Sequence, residues 1–87
     1  MILAYKFDCV SENFDFFLKF YAQKIGLKFS LKKQRDLTTL YAQGVQEELL
    51  ALSDILASSL PHSVFLRGSK VYAGENLPQG ETREPQN

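Results

Sequence analysis

Residues 37–60 constrain the fold of this chain most, because they join a strand pattern to a helix pattern through a single glycine. The first six of these residues are rich in Thr, Leu and Tyr, which is typical of a strand. After Gly44, leucines recur at steps of three and four residues and therefore share one helix face. A helix that follows a strand this closely is expected to pack back across its own sheet. The leucines of this face are Leu49, Leu52, Leu56 and Leu60.

A strand–helix pair precedes this stretch. Residues 1–9 alternate like a strand, with one face packed and one face wet. Ser11 is the expected N-cap of a first helix that ends at Gly26. Residues 28–32 predict a second strand, joined to the third by a charged turn, and residues 62–72 predict a fourth strand interrupted at Gly68 and Ser69. In strand one, the inward residues are expected to be Leu3, Tyr5, Phe7 and Cys9, and the outward ones Ala4, Lys6 and Asp8.

The predicted element order is therefore βαββαβ. Right-handed crossovers place both helices on one face of a four-stranded antiparallel sheet, which is the ferredoxin-like α+β sandwich. We expect this domain to occupy residues 1–73. Residues 74–87 are rich in Gly, Pro, Gln and Glu and predict a polar tail or linker. The sheet face without helices is expected to carry Lys6, Ser30, Thr39, Tyr41, Phe65 and Arg67.

Charge and composition limit the partners that such a chain can have. Ten basic residues balance ten acidic ones, so the basic surplus typical of nucleic-acid or membrane binders is missing. No apolar run approaches the roughly 20 residues needed to span a bilayer, and the N-terminus resembles a strand rather than a leader peptide. A single cysteine fits a reducing compartment. These features predict a cytoplasmic protein that does not bind membranes, and they argue against nucleic acid as its main partner.

The residues that could carry chemistry are few. His62 is the one histidine and has no partner suited to a metal site. Cys9 lies beside Asp8, which favours a small packed residue over a nucleophile. Asp8, Glu12 and Asp15 could hold a cation, but a capped helix start explains these acids equally well. We therefore expect no catalytic residue, no metal and no cofactor.

An aromatic group on the first helix has two possible roles. Phe16 and Phe20 are four residues apart and lie outside the expected inward stripe. Either they pack against the second helix, or they form an exposed patch for a partner. With Tyr41 and Phe65 they make up the candidate interaction surface. The inward stripe itself consists of Phe14, Phe17, Leu18, Tyr21 and Ile25.

Two short runs resemble the acylphosphatase family. Ala42, Gln43 and Gly44 precede an acidic amphipathic helix, as does the Val-Glu-Val-Val-Ala-Gln-Gly run of that family. Residues 24–31, KIGLKFSL, are similar to the end of the family's first helix and its second strand. The resemblance covers the layout of residues 3–71. It implies the ferredoxin-like fold and, for an intact member, hydrolysis of acyl phosphates.

The stretch that matches the family's phosphate loop departs from its pattern. Acylphosphatases carry Gly-x-Val-Gln-Gly-Val-x-Phe-Arg, whose backbone N–H groups and Arg hold a phosphate. Residues 7–15 read FDCVSENFD, which contains no glycine and places Asp15 where the Arg would be. The position of the family's water-orienting Asn falls near Lys32 or Lys33. We therefore predict that acylphosphatase activity is absent.

A domain similar to acylphosphatases begins the hydrogenase-maturation carbamoyltransferases. The resemblance therefore implies a non-catalytic module that acts through contacts with a protein partner or a neighbouring domain, in hydrogenase maturation. Two alternatives stay open. One is an acylphosphatase with an atypical site. The other is a small-molecule-binding regulatory domain of the same topology, which would pair into a homodimer.

Overall fold

A computed structural model describes residues 1–60, 64–74, 76–78 and 81–83 of the 87-residue chain. Its first six elements follow the predicted βαββαβ order, and a short further strand follows them. The ferredoxin-like α+β fold is therefore confirmed. The elements are β1 (Ile2–Phe7), α1 (Glu12–Ile25), β2 (Lys28–Gln34), β3 (Leu37–Gln43), α2 (Gln46–Ser59), β4 (Leu66–Tyr72) and β5 (Glu81–Arg83).

The sheet is antiparallel throughout, with the strand order β4-β1-β3-β2-β5. The first four strands form the expected platform. The fifth strand lies within residues expected to be a polar tail, and it pairs with the outer edge of β2 from Phe29 to Leu31. That expectation was wrong for residues 81–83. The sheet thus has β4 at one edge and β5 at the other.

Helix α1 begins and ends where the sequence predicts. The Ser11 side chain accepts a hydrogen bond from the Phe14 N–H, 3.1 Å away, so that it caps a free donor of the first turn. Gly26 ends the helix with φ 97°, a left-handed conformation that glycine adopts without a Cβ penalty. Phe14 and Leu18 are buried against the sheet, and the other predicted stripe residues are partly buried.

Helix α2 packs its leucine face as predicted, with Leu49, Leu52 and Leu56 buried and Leu60 partly buried. Gly44 precedes the helix in a space that has no room for a side chain. A Cβ built there would lie 2.3 Å from Leu27 Cδ2, inside the core. The glycine between the strand pattern and the helix pattern is therefore required by close packing.

Both helices cover the same face of the sheet, because inward residues of β1 contact each of them. The Phe7 ring meets the Phe14 ring of α1 edge-on, with centroids 5.0 Å apart. The Tyr5 hydroxyl lies 2.9 Å from Ser53 Oγ of α2. Leu3 and Cys9, predicted on the same side, are only partly buried against the core. The other face of the sheet carries no helix and is called the open face below.

The fourth strand differs from the prediction. It begins at Leu66, so Phe65 precedes it, and His62 lies outside the described residues. The irregularity expected at Gly68 and Ser69 falls one residue earlier. Lys6 pairs with Gly68 while the next residue of β1 pairs with Leu66, which leaves Arg67 as the extra residue. In the part of the chain that the structure describes, neither helix has the length and apolar character needed to cross a membrane.

Candidate functional site

The outer face of α1 carries an exposed aromatic pair. Phe16 is 76% exposed and Phe20 is 57% exposed. Phe20 lies edge-on to the Tyr21 ring at 5.1 Å between centroids, and the Lys24 ammonium lies 5.8 Å from the Phe20 centroid. Of the two alternatives that the sequence left open, the structure shows the exposed patch. We call Phe16 and Phe20 the α1 patch.

An ion pair between a buried carboxylate and a partly exposed lysine adjoins the α1 patch. The Asp15 carboxylate is buried and contacts the Lys33 ammonium of β2. Its second oxygen, Oδ1, has no hydrogen-bond partner among the described residues. Asp15 also lines a shallow surface pocket with its neighbours Glu12, Phe16, Lys19 and Lys33. Asp15 lies in the first turn of the helix, as expected, and its contact with Lys33 also joins α1 to the edge of the hairpin.

The β1–α1 loop is where an acylphosphatase would hold its phosphate, and three backbone N–H groups in and beside this loop are engaged within the chain. The Asp8 N–H donates to the Phe65 carbonyl at 3.0 Å, and the Asp8 carboxylate lies 3.2 Å from Arg67 Nε. The Phe14 N–H donates to Ser11 Oγ, and the Asp15 N–H donates to the Ser11 carbonyl. No group of three or more His, Cys, Asp or Glu within the described ranges could hold a metal ion.

The open face is partly covered by the chain itself. We use the term crossing segment for Ala73, Gly74 and residues 76–78, which lie between β4 at one edge and β5 at the other. Ser30 Oγ donates to the Pro78 carbonyl at 3.0 Å and is fully buried. The expectation that Ser30 faces solvent was wrong, because the crossing segment passes over it.

Two tyrosines meet over β1 on the open face. Tyr41 of β3 and Tyr72 of β4 stand edge-on, with ring centroids 5.2 Å apart. Tyr41 pairs with Ala4, and Tyr72 pairs with Ile2, both on the β1 strand between them. Ala4 was expected on the wet face of β1, but it is buried because these rings lie across the strand.

The predicted interaction residues do not form one surface. Phe16 and Phe20 lie on the helix layer, whereas Tyr41 is half-buried on the opposite side of the sheet. Phe65 is 69% exposed in the segment before β4. Tyr72 and Lys70 also lie on the open face, although neither was predicted there. The alternation of residues 68, 70 and 72 along a fourth strand that pairs with β1 could have revealed both.

Comparison with known proteins yields no relative for this chain. No protein-family model, curated protein or solved structure matches it.

Proposed function

We propose that this chain is a non-catalytic, acylphosphatase-like module that binds another protein through the α1 patch, and that the process it serves is hydrogenase maturation. The observation that carries the proposal is the exposure of two phenylalanines one helical turn apart. Exposed aromatic patches of this kind mark partner surfaces. Full burial of a Phe side chain contributes about 1.5–3 kcal/mol, so covering both rings would supply much of the affinity of a transient complex.

Binding through the α1 patch is tested with the full chain as bait and paired variants. Phe16→Ser with Phe20→Ser removes the exposed rings and leaves the buried stripe intact. Leu50→Ser is the matched control, because Leu50 is 56% exposed on α2. The partner is first identified from the source cells by mass spectrometry and is then purified. We expect the wild type and the control to bind it and the double variant not to bind it. Equal retention by the double variant would contradict the proposal.

The process is tested by the identity of that partner. We expect a protein of the hydrogenase-maturation machinery, which then binds the purified chain in solution. A partner from an unrelated process would remove hydrogenase maturation from the proposal and leave the contact surface in place.

Absence of catalysis has a direct test. Incubation of the protein with benzoyl phosphate is expected to give hydrolysis no faster than buffer. The reasons are the glycine-free sequence of residues 7–15 and the engagement of the Asp8 N–H and carboxylate described above. Turnover well above the buffer rate would establish the alternative, an acylphosphatase with an atypical site.

A further inference from the structure

The half of the open face that the crossing segment leaves uncovered carries a row of two lysines with one hydroxyl between them. Lys6 of β1 pairs with Thr39 of β3, and Thr39 pairs with Lys32 of β2. These three side chains therefore point to the same face. Because neighbouring strands are about 4.8 Å apart, the Cα atoms of the two lysines are about 10 Å from each other, with Thr39 between them.

A notch beside this row adds a further cation. Gly68 pairs with Lys6, and a Cβ at Gly68 would meet nothing within 4 Å, so the space above the glycine is open. Lys70 pairs with Ala4 and lies on the same face as Lys6. A surface pocket is lined by Ala4, Lys6, Arg67, Gly68, Ser69 and Lys70.

The charges of this notch are not neutralised by the described part of the chain. Arg67 is paired with Asp8, but Lys6, Lys32 and Lys70 form no ion pair with a described residue. No acidic residue lies among the residues of β1 to β4 that face this side. Five of the ten acidic residues lie on the two helices, so the net charge of zero is compatible with a positive half-face on the sheet.

An aromatic side chain, that of Tyr41, lies beside these cations and could stack with a planar ring of a ligand. Tyr41 lies in the next row of the sheet, opposite Ala4, and Ala4 in turn lies opposite Lys70. The Tyr41 side chain is half-buried and so keeps part of its surface open. Aromatic side chains bind nucleobases by stacking, while lysines bind phosphate as point charges.

We propose that this half-face binds a phosphate ester attached to a planar ring, with the phosphate on Lys6, Lys32 and Lys70 and the ring against Tyr41. We call it the cationic half-face. It lies on the side of the sheet opposite the α1 patch, so its ligand and the protein partner can be bound together. A free nucleotide and the phosphates of single-stranded RNA share this chemistry, and the test distinguishes them.

The test titrates the full chain, labelled for NMR, with inorganic phosphate, with ATP and with a single-stranded oligouridylate. We expect saturable binding of ATP at low ionic strength, weaker binding of phosphate, and amide shifts centred on residues 6, 32, 39, 41 and 70. Added salt should weaken the binding, because these cations are exposed. Tighter binding of the oligouridylate than of ATP would support the proposal with RNA as the source of the phosphate. No saturable binding of any of the three probes would overturn it.

Charge variants distinguish binding at this site from nonspecific electrostatic attraction to lysines elsewhere on the protein. Lys6→Gln and Lys32→Gln should each weaken ATP binding about tenfold, the loss typical of one charge-assisted contact. Lys24→Gln removes the same charge from α1 and should leave binding unchanged. Thermal unfolding first checks that each variant is folded. An equal loss in Lys24→Gln and Lys6→Gln would overturn the proposal.

Discussion

At the scale of single residues, the buried carboxylate of Asp15 is an unusual feature. One oxygen contacts Lys33, and the other has no hydrogen-bond partner among the described residues. A buried charge of this kind is tolerated only while its ionic partner is present. Lys33 is therefore expected to matter more to stability than a lysine on the rim of a sheet usually does.

Replacement of Lys33 by Met should lower the free energy of unfolding by about 1–3 kcal/mol, because it leaves a buried carboxylate unpaired. The adjacent Lys32 offers a matched control, since it faces the other side of the sheet. Lys32→Met is expected to change stability by less than about 0.5 kcal/mol. Urea unfolding at neutral pH measures both. Equal losses in the two variants would show that the ion pair with Asp15 contributes little.

Tyr5 provides a prediction about pH. Burial raises the pKa of its phenol above the ordinary value of 10.0, and the hydrogen bond with Ser53 offsets part of this rise. In the unfolded chain the phenol ionises first, so the folded state binds more protons above about pH 10. The stability that this protonated phenol contributes is complete below pH 10 and is lost as pH rises towards the folded-state pKa.

Tyr5→Phe removes that titration and one hydrogen bond. At pH 8 the variant should be less stable than wild type by about 0.5–1.5 kcal/mol. This gap should narrow between pH 10 and pH 11, because only the wild type loses the contribution of the phenol. Urea unfolding across this range measures the gap, and a gap independent of pH would contradict the prediction.

At the scale of elements, the two helices begin in different ways. Ser11 caps α1 with its side chain, whereas Val45 occupies the same position in α2 and has no side-chain acceptor. The Glu48 carboxylate accepts a hydrogen bond from the Val45 N–H at 3.0 Å. This is one half of a capping box, and the half that the N-cap side chain supplies is missing.

Val45→Ser should complete that capping box and raise the free energy of unfolding by about 0.5–1.5 kcal/mol. Val45 is 63% exposed, so little buried apolar area is lost. Val45→Ala serves as the control, because alanine also lacks an acceptor and should give no gain. Thermal and urea unfolding of the three proteins decide the matter. A gain in the alanine variant equal to that in the serine variant would rule out capping as its cause.

The elements that local chemistry determines were predictable. Ser11 and Gly26 mark the ends of α1 by the hydrogen bonds and backbone angles of their own neighbourhood. The hairpin of β2 and β3 follows from two strand patterns around a short turn. By contrast, β5 is three residues long and pairs with a strand about fifty residues earlier. A strand is recognised in a sequence by alternation of apolar and polar residues over at least four positions, and three residues are too few to show it.

The exposure of side chains was harder to predict than the elements that carry them. Alternation correctly placed Ser30 and Ala4 on the open face, but both are buried. The crossing segment covers the first, and the Tyr41–Tyr72 pair covers the second. These contacts join distant parts of the chain, so periodicity within one strand does not report them.

At the scale of the whole molecule, the fold consists of a four-stranded sandwich and a C-terminal addition. Truncation after Ala73 should leave a chain that unfolds cooperatively, because the central core cluster lies within residues 5–64. Its urea midpoint should fall, since the hydrogen bond from Ser30 and the pairing of β5 with β2 are lost. Amide exchange should become faster along residues 29–31, while β1 and β3 keep their protection. Loss of cooperative unfolding would show that residues 1–73 are not a domain by themselves.

The position of β5 also affects synthesis. During translation, residues 1–72 leave the ribosome before residues 81–83, so the sandwich can form while the outer edge of β2 is still unpaired. An unpaired strand edge is a template for another chain, and several copies of this chain are close together on one messenger RNA. A longer interval between the emergence of residues 1–72 and that of residues 81–83 would favour joining of nascent chains through β2, whereas a short interval would let β5 occupy the edge first.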